Sequence, residues 1–220
     1  MPLSPPPTAR RILHERRIVI HGYEREDGLF DIEALLTDTK AQGFKSEDRG
    51  YVPAGEPLHG MWMRLTVDRA LNVVACEAVT DYSPYPAVCP QAAANFSRLA
   101  GLSIRKGFVK AALERVGGVE GCTHLRELLQ QMATTAFQTL YSVRMREAMQ
   151  KSGGKRSPEE ELAREQGGRP PLLDTCLAWS SASPVIARRW PHLYTGPARS
   201  NEKAGGERTA SATPALTGEA

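Results

Sequence analysis

Phe30-Asp31-Ile32-Glu33-Ala34-Leu35-Leu36-Thr37 decides the fold. Phe30, Ile32, Ala34 and Leu36 fall on one side of an extended chain, and Asp31, Glu33 and Thr37 fall on the other. Period two of this kind marks a strand with one buried and one polar face. Residues 61–67 repeat it, with Met61, Met63, Leu65 and Val67 set against Trp62, Arg64 and Thr66. Residues 17–23 (Ile18, Val19, Ile20) and 71–80 are two further extended runs. Asp27-Gly28 is a hairpin signal between the first two runs, and Asp68-Arg69-Ala70 a turn between the last two. A loop rich in Gly, Pro and charge, residues 41–58, precedes His59. Four strands with short connections predict an antiparallel sheet.

Asp81-Tyr82-Ser83-Pro84-Tyr85-Pro86 ends the extended pattern, and the chain beyond it reads as helix. Cys89-Pro90 opens the first helix, because proline suits the first helical position; Ala93, Phe96 and Leu99 form its apolar face and Gly101 ends it. A second helix covers 106–116 and stops at Gly117-Gly118. The longest follows Gly121 and reaches about residue 149, with Leu125, Leu128, Met132, Ala136, Leu140 and Val143 in one buried stripe. Strands first and helices after predict an α+β domain, helices packed on one face of the sheet. The expected organisation is a proline-rich disordered start (1–13), the α+β core (14–149) and a charged flexible linker (150–171). A carboxy-terminal arm returning to the core (172–195) and a disordered tail (196–220) complete it.

The net charge of +3 on 220 residues, with basic residues spread along the chain, argues against nucleic acid. No apolar run approaches the roughly 18 residues that span a membrane, and the start lacks the apolar stretch of a signal peptide. Four cysteines without such a signal read as reduced thiols, and the expected compartment is the cytoplasm. Neither a phosphate loop, a dinucleotide glycine motif, a nucleophile elbow nor a His-Glu-x-x-His pattern is present. A small molecule is the expected partner; a homo-oligomer stays open.

Chemistry concentrates at His59, Cys89 and Cys122-Thr123-His124, which sit at the joints between predicted elements. Cys122 starts the long helix, where unpaired backbone N–H groups and the helix dipole favour an anion and make a thiol a better ligand or nucleophile. Each residue alone has an ordinary alternative: Cys122 and Cys89 as small buried apolar groups, His59 and His124 as surface histidines. Topology raises them together, since all three joints can converge at one end of an α+β sheet. Arg64 could anchor an acidic group or pair with Glu77 on the next strand. Asp31 with Glu33 could act as acid and base or form a solvated face. Thr134, Thr135 and Gln138 could line a pocket or bond back to helix carbonyls. His14, His21 and His192 show no clear partner.

Two resemblances rest on these residues. Asp27-Gly28-Leu29-Phe30-Asp31-Ile32-Glu33-Ala34, His59 with Met61-Trp62-Met63-Arg64-Leu65-Thr66, Gly121-Cys122-Thr123-His124-Leu125 and Ala133-Thr134-Thr135-Ala136-Phe137-Gln138 resemble a bacterial family known only as a domain of unknown function, over roughly residues 14 to 180. Residues 59–143 also resemble the iron–sulphur scaffold fold of the IscU and NifU amino-terminal type. That resemblance implies His59, Cys89 and Cys122 at the three cluster-ligand positions, with His124 beside the third. The first thiol is replaced by His59 and no Leu-Pro-Pro-Val-Lys segment is present, which sets the chain apart from the scaffolds.

The sequence thus points to a small-molecule enzyme, a lyase or hydrolase. His59, Cys122, His124 and Arg64 are its catalytic candidates, and His59, Cys89, Cys122 and His124 its metal-ligand candidates. Mixed Cys/His ligands favour zinc or iron if a metal is bound. Its rivals are a non-enzymatic metal or iron–sulphur carrier and a structural interaction module.

Overall fold

The alternating runs form the four long strands of one antiparallel sheet: β1 (His14–Glu24), β2 (Phe30–Lys40), β5 (Pro57–Val67) and β6 (Val73–Tyr82), in the order β1-β2-β5-β6. A small separate hairpin, β3 (Phe44–Ser46) with β4 (Gly50–Val52), interrupts the connection between β2 and β5. The computed structural model describes residues 3–153, 157, 160, 168–170 and 172–197. The chain divides into two units, 1–158 and 159–220.

One sheet face is apolar by period two. Phe30, Ile32, Ala34 and Leu36 of β2, with Met61, Met63, Leu65 and Val67 of β5, are buried in a single core. Two helices lie on that face, α1 (Cys89–Ala94), continued by a 3-10 turn, and α3 (Thr123–Ser152), while α2 (Phe108–Val116) packs against α3 and the 3-10 turn and buries Phe108, Ala112 and Val116 in the same core. Leu125, Leu128, Leu129, Met132, Ala136 and Leu140 of α3 lie in the same core. Each of these leucine and methionine side chains contributes about 1.5–3 kcal/mol when fully buried. The chain is therefore α+β, with helices on one face of a four-stranded antiparallel sheet.

Gly22 shows how closely α3 approaches β1. A Cβ there would land on the Thr139 side chain. The Thr134, Thr135 and Thr139 hydroxyls donate to carbonyls one turn back (3.1, 3.0 and 2.8 Å), the ordinary outcome for hydroxyls on a helix.

The strands run further than the alternation suggests. β2 continues through Asp38 to Lys40, and β5 begins at Pro57, so His59 lies inside a strand rather than before one. The polar residues that seem to close the pattern belong to the inner face, because a neighbouring strand supplies their partners. The interval 41–58, read as loop, contains the β3–β4 hairpin.

The second unit holds α4 (Pro184–Arg189), capped by the Ser183 hydroxyl accepting from the Ile186 N–H at 3.3 Å. Trp179 and Trp190 meet there with ring centroids 5.3 Å apart. Most of the expected linker (150–171) and nearly all of the tail (196–220) lie outside the described residues. No helix among the described residues is long and apolar enough to cross a membrane.

Candidate acid–base centre

Register alone brings the first members of the site together. Arg16 of β1 pairs across from Asp38 of β2, and Asp38 pairs across from His59 of β5. Arg16 is in phase with the partly buried Ile18 and Ile20, and Asp38 and His59 with the buried residues of β2 and β5, so their side chains stand on the helix-covered face. His14, two residues before Arg16, shares that face. The first turns of α3 then lay Cys122, His124 and Glu127 over the same end of the sheet.

Asp38 is the hub, and it is 1% exposed. Arg16 grips both of its oxygens, Nε on Oδ1 and Nη2 on Oδ2, each at 2.8 Å. His59 Nδ1 lies 3.0 Å from Oδ2, His14 Nε2 3.3 Å from Oδ1 and His124 Nε2 3.7 Å from Oδ2. Arg16 also pairs with Glu127. A carboxylate has about four lone-pair sites, so two guanidinium bonds and two imidazole contacts fill its capacity. Burial by itself would raise the Asp38 pKa. The Arg16 hydrogen bonds and charge outweigh burial and hold the carboxyl below its ordinary value.

The two inner histidines are tuned towards the neutral form. His59 and His124 stack with ring centroids 3.8 Å apart and planes 31° off parallel. Burial lowers the His59 pKa, and the neighbouring His124 lowers it again, against the opposing pull of Asp38. Burial and the Arg16 charge lower that of His124. A carboxylate can only accept, so the His59 Nδ1 facing Asp38 carries the hydrogen and Nε2 keeps its lone pair.

Cys122 is the amino-terminal cap residue of α3, although its side chain makes no capping bond. Its thiol lies 3.7 Å from the Met61 sulfur and 4.0 Å from His124 Nδ1. The Thr123 hydroxyl lies closer to that nitrogen, at 3.4 Å. Thr80, the register partner of Met61, buries a hydroxyl with no hydrogen-bond partner among the described residues.

Of the residues singled out in the sequence, His59, His124 and Cys122 therefore come together. Cys89 opens α1, which packs on β6, and stands outside the group. Arg64 projects from the opposite, outer face, bonded to Glu33 at 2.7 Å and Glu77 at 3.2 Å. Asp31 there accepts from Thr66 at 2.7 Å and faces Arg25, so the Asp31–Glu33 pair belongs to a network of paired charges. His14, read as partnerless, meets Asp38 because β1 begins earlier than its apolar core suggests. Asp38 and Arg16 escaped notice although both continue the inward phase of their strands. Among the described residues, Asp38, His59 and His124 form a group whose potential ligand atoms all lie within 4.8 Å of one another.

Fold and site together define an α+β domain with a buried carboxylate–histidine centre at one end of its sheet. The chain belongs to the family described as proteins of unknown function (DUF2889), whose profile matches residues 14–138. That segment starts at His14 and ends within α3, so it includes the whole sheet and every residue of the centre. No curated protein and no solved structure matches the chain.

Proposed function

We propose that the protein is a small-molecule enzyme, a lyase or hydrolase, in which His59 is the general base. The observation that carries this reading is the 3.0 Å contact between His59 Nδ1 and the buried Asp38 carboxylate. Such a contact orients the ring, fixes its tautomer and stabilises the imidazolium that forms when Nε2 takes a proton. A depressed pKa keeps His59 neutral at pH 7, ready to accept. His59 and His124 are partly exposed, at 12% and 22% of their side chains, so a substrate can reach both.

In a lyase, Nε2 of His59 removes a substrate proton and the electron pair of the broken bond forms the new double bond. The His59 imidazolium then passes that proton to the departing group, which returns the base to its neutral form. In a hydrolase the same base activates a water. Proton transfer by a positioned side chain is worth about 10²–10⁴ in rate. Cys122 borders the same space and offers a thiol to the reaction or to the substrate.

A second reading is a divalent metal on Asp38, His59 and His124, favoured by the closeness of their ligand atoms. Two histidines and a carboxylate suit zinc or non-haem iron. Against it, Arg16 already brings a cation to both Asp38 oxygens. A cluster carrier of the scaffold type needs several thiolates, and Cys122 alone supplies one to this group.

Long-range ¹H–¹⁵N spectra of the histidine side chains, with elemental analysis of tag-free protein, test the proposal. The expected result is an Nδ1–H tautomer of His59 titrating below 6.5, without stoichiometric zinc or iron. An Nε2–H tautomer, or near-stoichiometric metal lost in His59→Ala, overturns the metal-free centre. Weakly held metal that passes to an acceptor protein would instead support the carrier.

A further inference from the structure

A cleft of about 360 Å³ lies next to the centre, lined by Leu13, Lys40, Gln42, Gly43, Phe44 and Leu58. Leu13 precedes His14 and Leu58 precedes His59, so the cleft and the centre share two strands. Its volume falls in the range of small-molecule sites. The β5 register explains how the wall is made. Asp38 pairs with His59 but Thr39 pairs with Pro57, leaving Leu58 as an extra residue in a bulge. A bulge takes its residue out of the alternation and re-aims the side chain, here towards Phe44 and Leu13.

Lys40 gives the cleft its sign. The β1–β2 register is unbroken from His14↔Lys40 to Arg16↔Asp38, so Lys40 and Asp38 share the inner face two residues apart. Two residues of strand span roughly 6.6 Å. Among the described residues no acidic group pairs with Lys40, and Asp38 is occupied by Arg16. An unpaired ammonium in an apolar wall selects a ligand with an apolar body and an anionic end. One ammonium, with no second cation lining the cleft, fits the single charge of a carboxylate better than a phosphate dianion.

We infer that this cleft binds the substrate and that the substrate is an aromatic or branched aliphatic carboxylic acid, its carboxylate on Lys40 and its reacting carbon towards His59. The inference deepens the acid–base reading, on which its second half rests. It gives Lys40 the anchoring role that Arg64, held between Glu33 and Glu77 on the other face, would otherwise have been asked to play.

The test is NMR titration of the full-length chain with 3-phenylpropanoate and its neutral analogue 3-phenylpropanamide. It is run on wild type, Lys40→Met and His59→Asn. Lys40→Met keeps the aliphatic stem and removes the charge. We expect the acid to bind wild type roughly fivefold more tightly than the amide, the scale of one partly exposed ion pair. Amide resonances of Leu13, Phe44 and Leu58 should shift, and Lys40→Met should bring the acid to the level of the amide. Equal binding of acid and amide to wild type, or unchanged acid binding in Lys40→Met, overturns the inference, as does no shift at the cleft with either probe. His59→Asn should bind the acid within about twofold of wild type. Binding retained there while His59 titrates ordinarily in wild type would leave the cleft standing and remove the acid–base reading.

Discussion

Asp38→Asn is the sharpest perturbation of the centre, because it changes charge while keeping shape. The carboxylate accepts Arg16 Nε on one oxygen and Nη2 on the other, each at 2.8 Å. An asparagine amide has one oxygen, so whichever way it is turned its NH₂ faces a guanidinium N–H, donor against donor. One charge-assisted hydrogen bond, worth about 1.5–3 kcal/mol, is lost outright, and the other keeps the guanidinium charge but loses that of its acceptor. Breaking a fully buried pair costs about 3–5 kcal/mol. Arg16 is one-third exposed and keeps Glu127, so the expected loss is smaller, about 2–3 kcal/mol. Urea denaturation followed by circular dichroism measures it directly, and a melting temperature lower by roughly 5–10 °C should accompany it. The same change removes the group that raises the His59 pKa, so His59 should titrate still lower in the variant. A loss below about 0.5 kcal/mol, or a His59 titration that does not move downwards, would refute the claim that Asp38 is the buried hub.

The remaining expectations concern pH, packing and the outer face. His59 and His124 have folded-state values below the unfolded 6.5, so the unfolded chain binds more protons. Stability should therefore fall as pH drops through about 6.5 and level off below the folded values, as denaturant midpoints between pH 8 and pH 5 would show. His124→Gln removes a neighbour that lowers the His59 pKa, so His59 should titrate higher in that variant; an unchanged NMR titration would count against the stacked pair. Gly22→Ala drives a methyl into Thr139 and should cost about 1–3 kcal/mol, recovered in part in the double variant with Thr139→Ala, which removes the hydroxyl and methyl but keeps the Cβ. Arg64→Ala removes pairs that are substantially exposed on both sides, so the stability change should be about 1 kcal/mol or less; loss of His59's low titration in that variant would contradict the separation of the two faces.

Alternation made the sheet legible, because an apolar residue at every second position has few other ways to be buried. Phe30 to Leu36 and Met61 to Val67 fixed both the strands and the face they bury, and the stripe from Leu125 to Val143 did the same for α3. Strand ends were harder to read. Asp38 follows Leu36 in perfect phase, but a carboxylate in that position looks like the end of a strand until its partner on β1 is known. Arg16 and His14 extend the phase of Ile18 and Ile20 backwards in the same way. An inward-phased acid on one strand and inward-phased cations on another were the available signal. Cys122 and His124 reach the site from the junction that starts α3, whereas His59 meets them from within β5 rather than from the strand entry that its sequence suggests. The separation of Cys89 was not legible, since it depends on α1 packing against β6.

Among the described residues the sheet is open, and β1 pairs with β2 alone, leaving its other side without a strand neighbour. Unprotected sheet margins invite pairing between molecules, which ends in aggregation. Along its eleven residues β1 carries His14, Glu15, Arg16, Arg17, His21 and Glu24, a density of charge and polarity that makes strand addition by a second molecule costly. Arg16 thus serves solubility as well as the centre it neutralises. Variants that replace the charges of β1 with aliphatic residues should be watched for self-association before any loss of activity is assigned to the chemistry.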